Sequence, residues 1–236
     1  MKVRMRWSAA EIQQLEPILD EVCGAAEILG EERVLVLCSA AGDMAFRLAN
    51  KLTCGQIIGA ELDASLVEAA RLAAAKRGVS GRVEFCPTEK TWLPFHENAF
   101  DALVSEFIVF PSPRPTEIGQ PEMARVLHPG GRMVITDVIA PRPVPAEMRA
   151  ELRKIGLDYL CEATKADFRA WMEAAGLCDV VVKDLTAAVK AVWERRAATD
   201  TDEDHKKAYG LLLEESPVRL GEGLFYILVR GVKPDG

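Results

Sequence analysis

The feature that most constrains this chain is the run Arg33-Val34-Leu35-Val36-Leu37-Cys38, which is apolar after its first residue and shows no polar alternation. A strand with one wet face alternates apolar and polar residues, so an unbroken run marks a central parallel strand covered on both faces. It ends in the small residues Ser39-Ala40-Ala41-Gly42 before Asp43. The pattern predicts a helix from about Met44 to Lys51, a strand from Gln56 to Ala60, and a helix from Ser65 to Arg77 ended by Gly78. Together these make one βαβ unit. Further strands are expected at Arg82 to Phe85, Phe100 to Ser105 and Arg132 to Val138, bounded by Pro94, Asn98 and a tight turn at Gly130-Gly131.

Strands alternating with helices imply a doubly wound, mainly parallel α/β sheet. Ahead of it, Ser8 and Glu11 resemble a capping box, and residues 8–29 read as helical with a kink or break at Pro17. Beyond it, Thr164 reads as the N-cap of a helix running to about Ala175, and Val180 to Val182 as a strand. Helical segments near 187–197 and 203–214 lead to a last strand at Leu224 to Val232.

With 236 residues and no linker-like stretch, a single domain over 1–236 is expected. Lys plus Arg number 29 against 36 Asp plus Glu, and the net charge of -7 disfavours a protein built to grip nucleic-acid backbones. Six cysteines with no CxxC pair, and no signal peptide, suggest reduced thiols and a cytoplasmic location. The longest purely apolar run, Leu224 to Val229, is too short to span a membrane. His96, His128 and His205 are scattered and form no HExxH or Cys/His cluster, so no metal site is expected.

In doubly wound sheets, ligands bind beyond the carboxyl ends of the strands, where the strand order reverses. That directs attention to Cys38 through Asp43, whose small residues allow close main-chain approach. The loop has one glycine, is not GxGxxG and lacks the P-loop lysine, so a nicotinamide-dependent oxidoreductase is a disfavoured alternative. Glu61 stands 61 − 42 = 19 residues after Gly42, at the end of the second strand, where a carboxylate can accept both hydroxyl hydrogens of a ribose. Glu89, beyond the third strand, can accept from an exocyclic amine of adenine. Three loops would then converge on one nucleoside.

The segments Val34 to Gly42, Gly59-Ala60-Glu61-Leu62-Asp63, Leu93-Pro94-Phe95 with Phe100-Asp101, and Arg125 to Gly131 resemble, in order, the motifs of class I S-adenosylmethionine-dependent methyltransferases of the small-molecule type, similar to methyltransferase domain 11. The resemblance covers about 33–138, and its most specific part is Arg125 to Asp137. It implies a seven-stranded Rossmann-like sheet with an antiparallel last strand, a cofactor-binding core at 33–138, an acceptor-covering insertion at 141–165, and the rest of the sheet and helices at 166–236. It also implies S-adenosylmethionine as cofactor, held by Cys38, Ser39, Ala40, Gly42, Glu61, Leu62, Thr88, Glu89, Lys90 and Ser105. The family pattern has an acid at the position of Val36 and glycines at Cys38 and Ala40, where this chain departs from it. A degenerate, non-catalytic binding module is therefore kept as an alternative.

Methyl transfer is an in-line displacement that needs alignment and exclusion of water rather than a fixed catalytic signature. No general base is assigned, although Glu106, Tyr159 or a water could serve an acceptor that has a proton to lose. Trp92, Glu106, Tyr159 and Cys161 are candidates for contact with a small-molecule acceptor. Tyr159-Leu160-Cys161 also resembles part of the arsenite methyltransferases, a further alternative. One thiol cannot make the site a soft metalloid needs, and Cys161 reads as a core residue. Trp171 and Trp193 read as core, and Lys190 to Lys207 as a solvated face and connection.

Overall fold

A computed structural model describes residues 16–37, 42–89, 91–106, 119–157, 160–214 and 216–235, with the side chain of Glu106 outside the description. The strands are β1 (Arg33–Leu37), β2 (Gln56–Glu61), β3 (Val83–Pro87), β4 (Phe100–Glu106), β5 (Leu127–Ile139), β6 (Cys178–Asp184) and β7 (Phe225–Val232). The described helices are α1 (Glu16–Ala26), α2 (Asp43–Ala49), α3 (Ala64–Lys76), α4 (Gln120–Val126), α5 (Ala146–Lys154), α6 (Lys165–Ala174), α7 (Thr186–Thr199) and α8 (Glu203–Leu213).

One seven-stranded sheet results, in the order β3-β2-β1-β4-β5-β7-β6. The pairs β1-β2, β1-β4, β2-β3 and β4-β5 are parallel. β7 is antiparallel to both its neighbours: Gly130 and Gly131 at the start of β5 bond Lys233 just past the end of β7, while Leu185 just past β6 bonds Tyr226 at the start of β7. β1 is the central strand, with Val34, Leu35, Val36 and Leu37 all buried. An apolar Val36 suits its place, paired between Gly59 and Val104.

Local chemistry sets the helix ends. The Asp63 carboxylate accepts the Ser65 N–H at 2.8 Å and caps α3. Thr164 and Asp167 exchange hydrogen bonds as a capping box before α6. Pro17 is the second described residue of α1, and the part of the expected helix before Glu16 lies outside the described residues.

The structure places the expected glycine turn within β5 rather than ahead of it. Both glycines lie inside β5, which begins at Leu127 rather than at Arg132. Leu127 pairs with Phe100 and Arg132 with Ala102, so the intervening residues form a bulge. Gly130 has φ +75°, and a Cβ at Gly131 would lie 2.7 Å from the His128 carbonyl oxygen.

The chain divides into two compact units. The first comprises Glu21–Thr136, Phe168–Val182 and Val229–Gly236. Its core includes Leu35, Leu37, Phe100, Leu103 and Met133. Arg132 ties the end of α1 to the sheet, with Nε on the Ala26 carbonyl at 3.2 Å and Nη2 on Glu32 at 2.5 Å. The second comprises Met1–Asp20, Asp137–Asp167 and Lys183–Leu228. It packs Leu152, Trp193, Leu212 and Ile227. Here Arg196 Nη1 donates to the Ile155 carbonyl at 3.1 Å, and Lys207 reaches Glu151 at 3.3 Å, joining α5 to α7 and α8.

Candidate active site

Parallel pairing brings the strand ends into line. Leu37 at the end of β1 sits opposite Ala60 of β2 and Ser105 of β4, while Glu61 sits opposite Pro87 of β3. The chain runs outward from β1 through β2 to β3 and returns on the other side at β4, so β1 marks the reversal of strand order. With strands about 4.8 Å apart, the ends of β2 and β4 flank β1 across about 10 Å.

Gly42 opens α2 with φ +95°. A Cβ there would lie 2.7 Å from the Phe46 ring and 2.8 Å from the Phe85 ring, which meet edge-on at 5.7 Å between centroids. Its glycine is thus required by packing beneath the loop as well as by the backbone conformation. Cys38, Ser39 and Ala40, named from sequence as cofactor contacts, lie outside the described residues, as does Lys90.

Glu61 is only 4% exposed, although it sits at a strand end. Its Oε1 accepts the Leu62 N–H at 2.7 Å and the Asp63 N–H at 3.4 Å, which fixes the carboxylate against the turn after β2. The Thr88 N–H donates to the Glu61 carbonyl at 2.9 Å, joining the turns after β2 and β3. The Thr88 hydroxyl closes its own loop by donating to the Trp92 carbonyl at 3.2 Å. Leu62 and Trp92 are large apolar side chains left 40% and 51% exposed on these two turns, beside the exposed Glu89. Apolar surface next to carboxylates suits a flat ring bearing donor groups.

Sequence reasoning missed what holds the Trp92 loop in place. Leu93 is fully buried and its N–H donates to Glu122 Oε1 at 2.8 Å. Arg125 donates to the Phe95 carbonyl at 2.9 Å and the Leu93 carbonyl at 3.2 Å, and grips Glu122 at 2.7 and 2.8 Å. That hydrogen-bonded ion pair raises the Arg125 pKa further, against a smaller opposing effect of burial. The motif Leu93-Pro94-Phe95 is therefore the loop that α4 clamps. Its signal in the sequence was the spacing of Glu122 and Arg125, one helical turn apart.

Ser105, fully buried at the end of β4, has a hydroxyl oxygen with no hydrogen-bond partner among the described residues, and so does Thr136 on β5. Asp137, the next residue, was also missed; its signal was a lone acid within Val134-Ile135-Thr136-Asp137-Val138-Ile139. Among the acceptor candidates, Tyr159 and the Glu106 side chain lie outside the described residues. Cys161 is a buried thiol in the second unit, where its N–H donates to the Val138 carbonyl at 3.0 Å and its carbonyl accepts from Ala140 at 2.8 Å. Trp193 is 2% exposed, as expected of core, while Trp171 is half-buried against Phe168. Among the described residues, no three His, Cys, Asp or Glu side chains gather as a metal site, and no helix is long and apolar enough to cross a membrane.

The strand order, the glycine opening α2 and the acid ending β2 define a class I S-adenosylmethionine-dependent methyltransferase. Residues 28–194 match the family described as a methyltransferase domain, and the chain belongs to that family. Demethylmenaquinone methyltransferase of Clavibacter sepedonicus is 30% identical, over 68% of this chain and 71% of that protein. The 27-O-demethylrifamycin SV methyltransferase of Amycolatopsis mediterranei is 24% identical over 92% of this chain and 83% of its own. Geranyl diphosphate C-methyltransferase from Streptomyces coelicolor A3(2), solved with S-adenosyl-L-homocysteine, shares the fold with a TM-score of 0.77 at 17% identity, covering 95% of this chain and 81% of that one. The protein is an enzyme and its cofactor is S-adenosylmethionine.

Proposed function

We propose that this enzyme methylates a small-molecule acceptor, within one functional domain spanning 1–236. The observation that carries the cofactor half of the reading is the buried Glu61 carboxylate, held by the turn after β2 and joined through Thr88 to the loop bearing Glu89 and Trp92. Glu61 would take the ribose hydroxyls, Glu89 with the Lys90 main chain the adenine, and Leu62 its face. Gly42 and its preceding loop would lie along the methionine portion, and the Ser105 hydroxyl, without a hydrogen-bond partner among the described residues, would border it from β4. The residues fit the group: a carboxylate is fixed at a strand end, exposed apolar side chains stand beside it, and the Ser105 hydroxyl is buried with no partner among the described residues.

When bound, the cofactor supplies an electrophilic methyl on a sulfonium. The protein's own residues align the two reactants and exclude water. The acceptor side of the proposal rests on the relatives, whose names specify demethylmenaquinone and 27-O-demethylrifamycin SV as substrates. Titration calorimetry with S-adenosylhomocysteine tests the cofactor site. Methylation assays with demethylmenaquinol and 27-O-demethylrifamycin SV test the acceptor. Binding of S-adenosylhomocysteine without turnover of any acceptor in a broad panel would replace this reading with a non-catalytic binding module.

A further inference from the structure

β3 ends the sheet, with β2 as its neighbour on one side, so its main-chain groups can be followed one by one. The Ile57 N–H donates to the Arg82 carbonyl at 2.8 Å, and the Thr88 N–H to the Glu61 carbonyl at 2.9 Å. With a period of two, the main chain of Arg82, Glu84, Cys86 and Thr88 therefore faces β2, and that of Val83, Phe85 and Pro87 faces outward. Two outward groups are satisfied within the chain. The Val83 N–H donates to the Val79 carbonyl at 2.9 Å, and the Phe85 carbonyl accepts from Arg71 Nε at 2.9 Å. The Val83 carbonyl and the Phe85 N–H have no partner among the described residues, although both residues are buried.

Both residues line a cavity of about 260 Å³, together with Arg71 and Ala74 of α3 and with Glu84. All of these belong to the first compact unit. A carbonyl and an N–H facing outward on either side of one residue form the pattern that an added strand pairs with. Val79 and Arg71 cover the flanking groups and leave a gap centred on Glu84, where an exposed edge would otherwise be blunted along its length.

The side chains around the gap specify what fills it. A residue placed opposite Glu84 shares its face of the sheet, while the residues before and after it share the face of Val83 and Phe85. Glu84 is exposed, with its Oε1 accepting from Gln56 Nε2 at 2.9 Å, and a carboxylate there favours Lys or Arg opposite. The buried side chains of Ala74, Val83 and Phe85 favour apolar neighbours on either side. Pairing with a second copy of this chain through the same two groups would set Glu84 against Glu84. Like charges directly opposite are unfavourable, and the net charge of -7 adds to the repulsion.

We propose that the outer edge of β3 binds an extended segment of a partner protein in the pattern apolar-basic-apolar. The main chain of that segment takes the Phe85 N–H and the Val83 carbonyl, and its basic residue faces Glu84.

The test follows the amide NMR spectrum of the isotope-labelled full chain during titration with the peptide acetyl-Thr-Val-Lys-Val-Thr-amide. At about 1 mM peptide the Phe85 amide resonance should shift, and at saturation its hydrogen exchange should slow by at least about tenfold. A peptide with Glu in place of Lys should bind at least about threefold more weakly, and Glu84→Lys should reverse that order. The Lys peptide N-methylated along its main chain should not bind. S-adenosylhomocysteine affinity should stay within about twofold with the peptide present. An unperturbed Phe85 amide at about 5 mM peptide would overturn the proposal, as would binding that leaves its exchange unchanged. So would a charge preference that Glu84→Lys fails to reverse, competition between peptide and S-adenosylhomocysteine, or self-association of the free chain that protects the Phe85 amide.

Discussion

Arg125→Ala should loosen the loop that carries Glu89 and Trp92, and the size of the effect follows from the hydrogen bonds that the truncation would break. The guanidinium makes four, two to the carbonyls of Phe95 and Leu93 and two to the Glu122 carboxylate. Bonds involving an ion contribute about 1.5 to 3 kcal/mol each, but these four act through one rigid group and are not additive. The two side chains are 27% and 17% exposed, so solvent weakens the pairing without abolishing it. Among the described residues, Glu122 keeps the Leu93 N–H as a partner. We therefore expect a loss of about 3 kcal/mol in urea unfolding with an unchanged m-value. A cycle with Glu122→Gln should give a coupling of about 1 to 2 kcal/mol. Because the loop positions proposed cofactor contacts, S-adenosylhomocysteine should bind about tenfold more weakly to the folded variant. A loss below about 1 kcal/mol would refute the clamp. A full stability loss with unchanged S-adenosylhomocysteine affinity would separate the loop from the cofactor site.

Glu61→Ala should weaken S-adenosylhomocysteine by roughly 10- to 100-fold in calorimetry, with Glu61→Gln intermediate; an unchanged affinity would remove Glu61 from the site. Gly131→Ala should cost about 1 to 3 kcal/mol in unfolding experiments, because its Cβ would meet the His128 carbonyl oxygen at 2.7 Å and the Asp101 carbonyl oxygen at 3.1 Å. Asp200 accepts from the Asp202 N–H, the Tyr209 hydroxyl and His205, and the first of these contributes most to holding its pKa down at about 2. A depressed folded-state pKa stabilises the protein above the unfolded value and is lost as pH falls through the folded one, so the loss begins near pH 4 and is complete near pH 2. Asp200→Asn should remove about 1 to 2 kcal/mol at neutral pH and flatten that part of the stability profile. An unaltered acid limb would show that Asp200 does not contribute to it.

The legible part of this protein was local. The unbroken apolar run at Val34 to Leu37 announced the central strand because period and burial are linked within a few residues. Gly78 ended α3 in a left-handed conformation and Thr164 with Asp167 capped α6, as short-range sterics and hydrogen bonding require. Glu61 could be singled out because a strand end after a fixed βα interval is a topological position. That β5 already begins at Leu127, before the Gly130-Gly131 pair, was not legible, because its pairing depends on distant strands: Lys233 bonds the two glycines and Phe100 pairs with Leu127.

Sequence alone determined the strands and most of the helices in chain order, though not α4 or α5, the strand ends at which a ligand is expected, and the family resemblance carried by its ordered motifs. Tertiary structure decided which of those residues are constrained and by what. Gly42 lies over the Phe46 and Phe85 rings, α4 clamps the Leu93 loop through Arg125, and Asp137 is sealed from water with one oxygen unpartnered among the described residues. The division has one cause. Backbone propensity and periodicity are properties of neighbours along the chain, whereas desolvation, close approach and ion pairing depend on groups that only folding brings together.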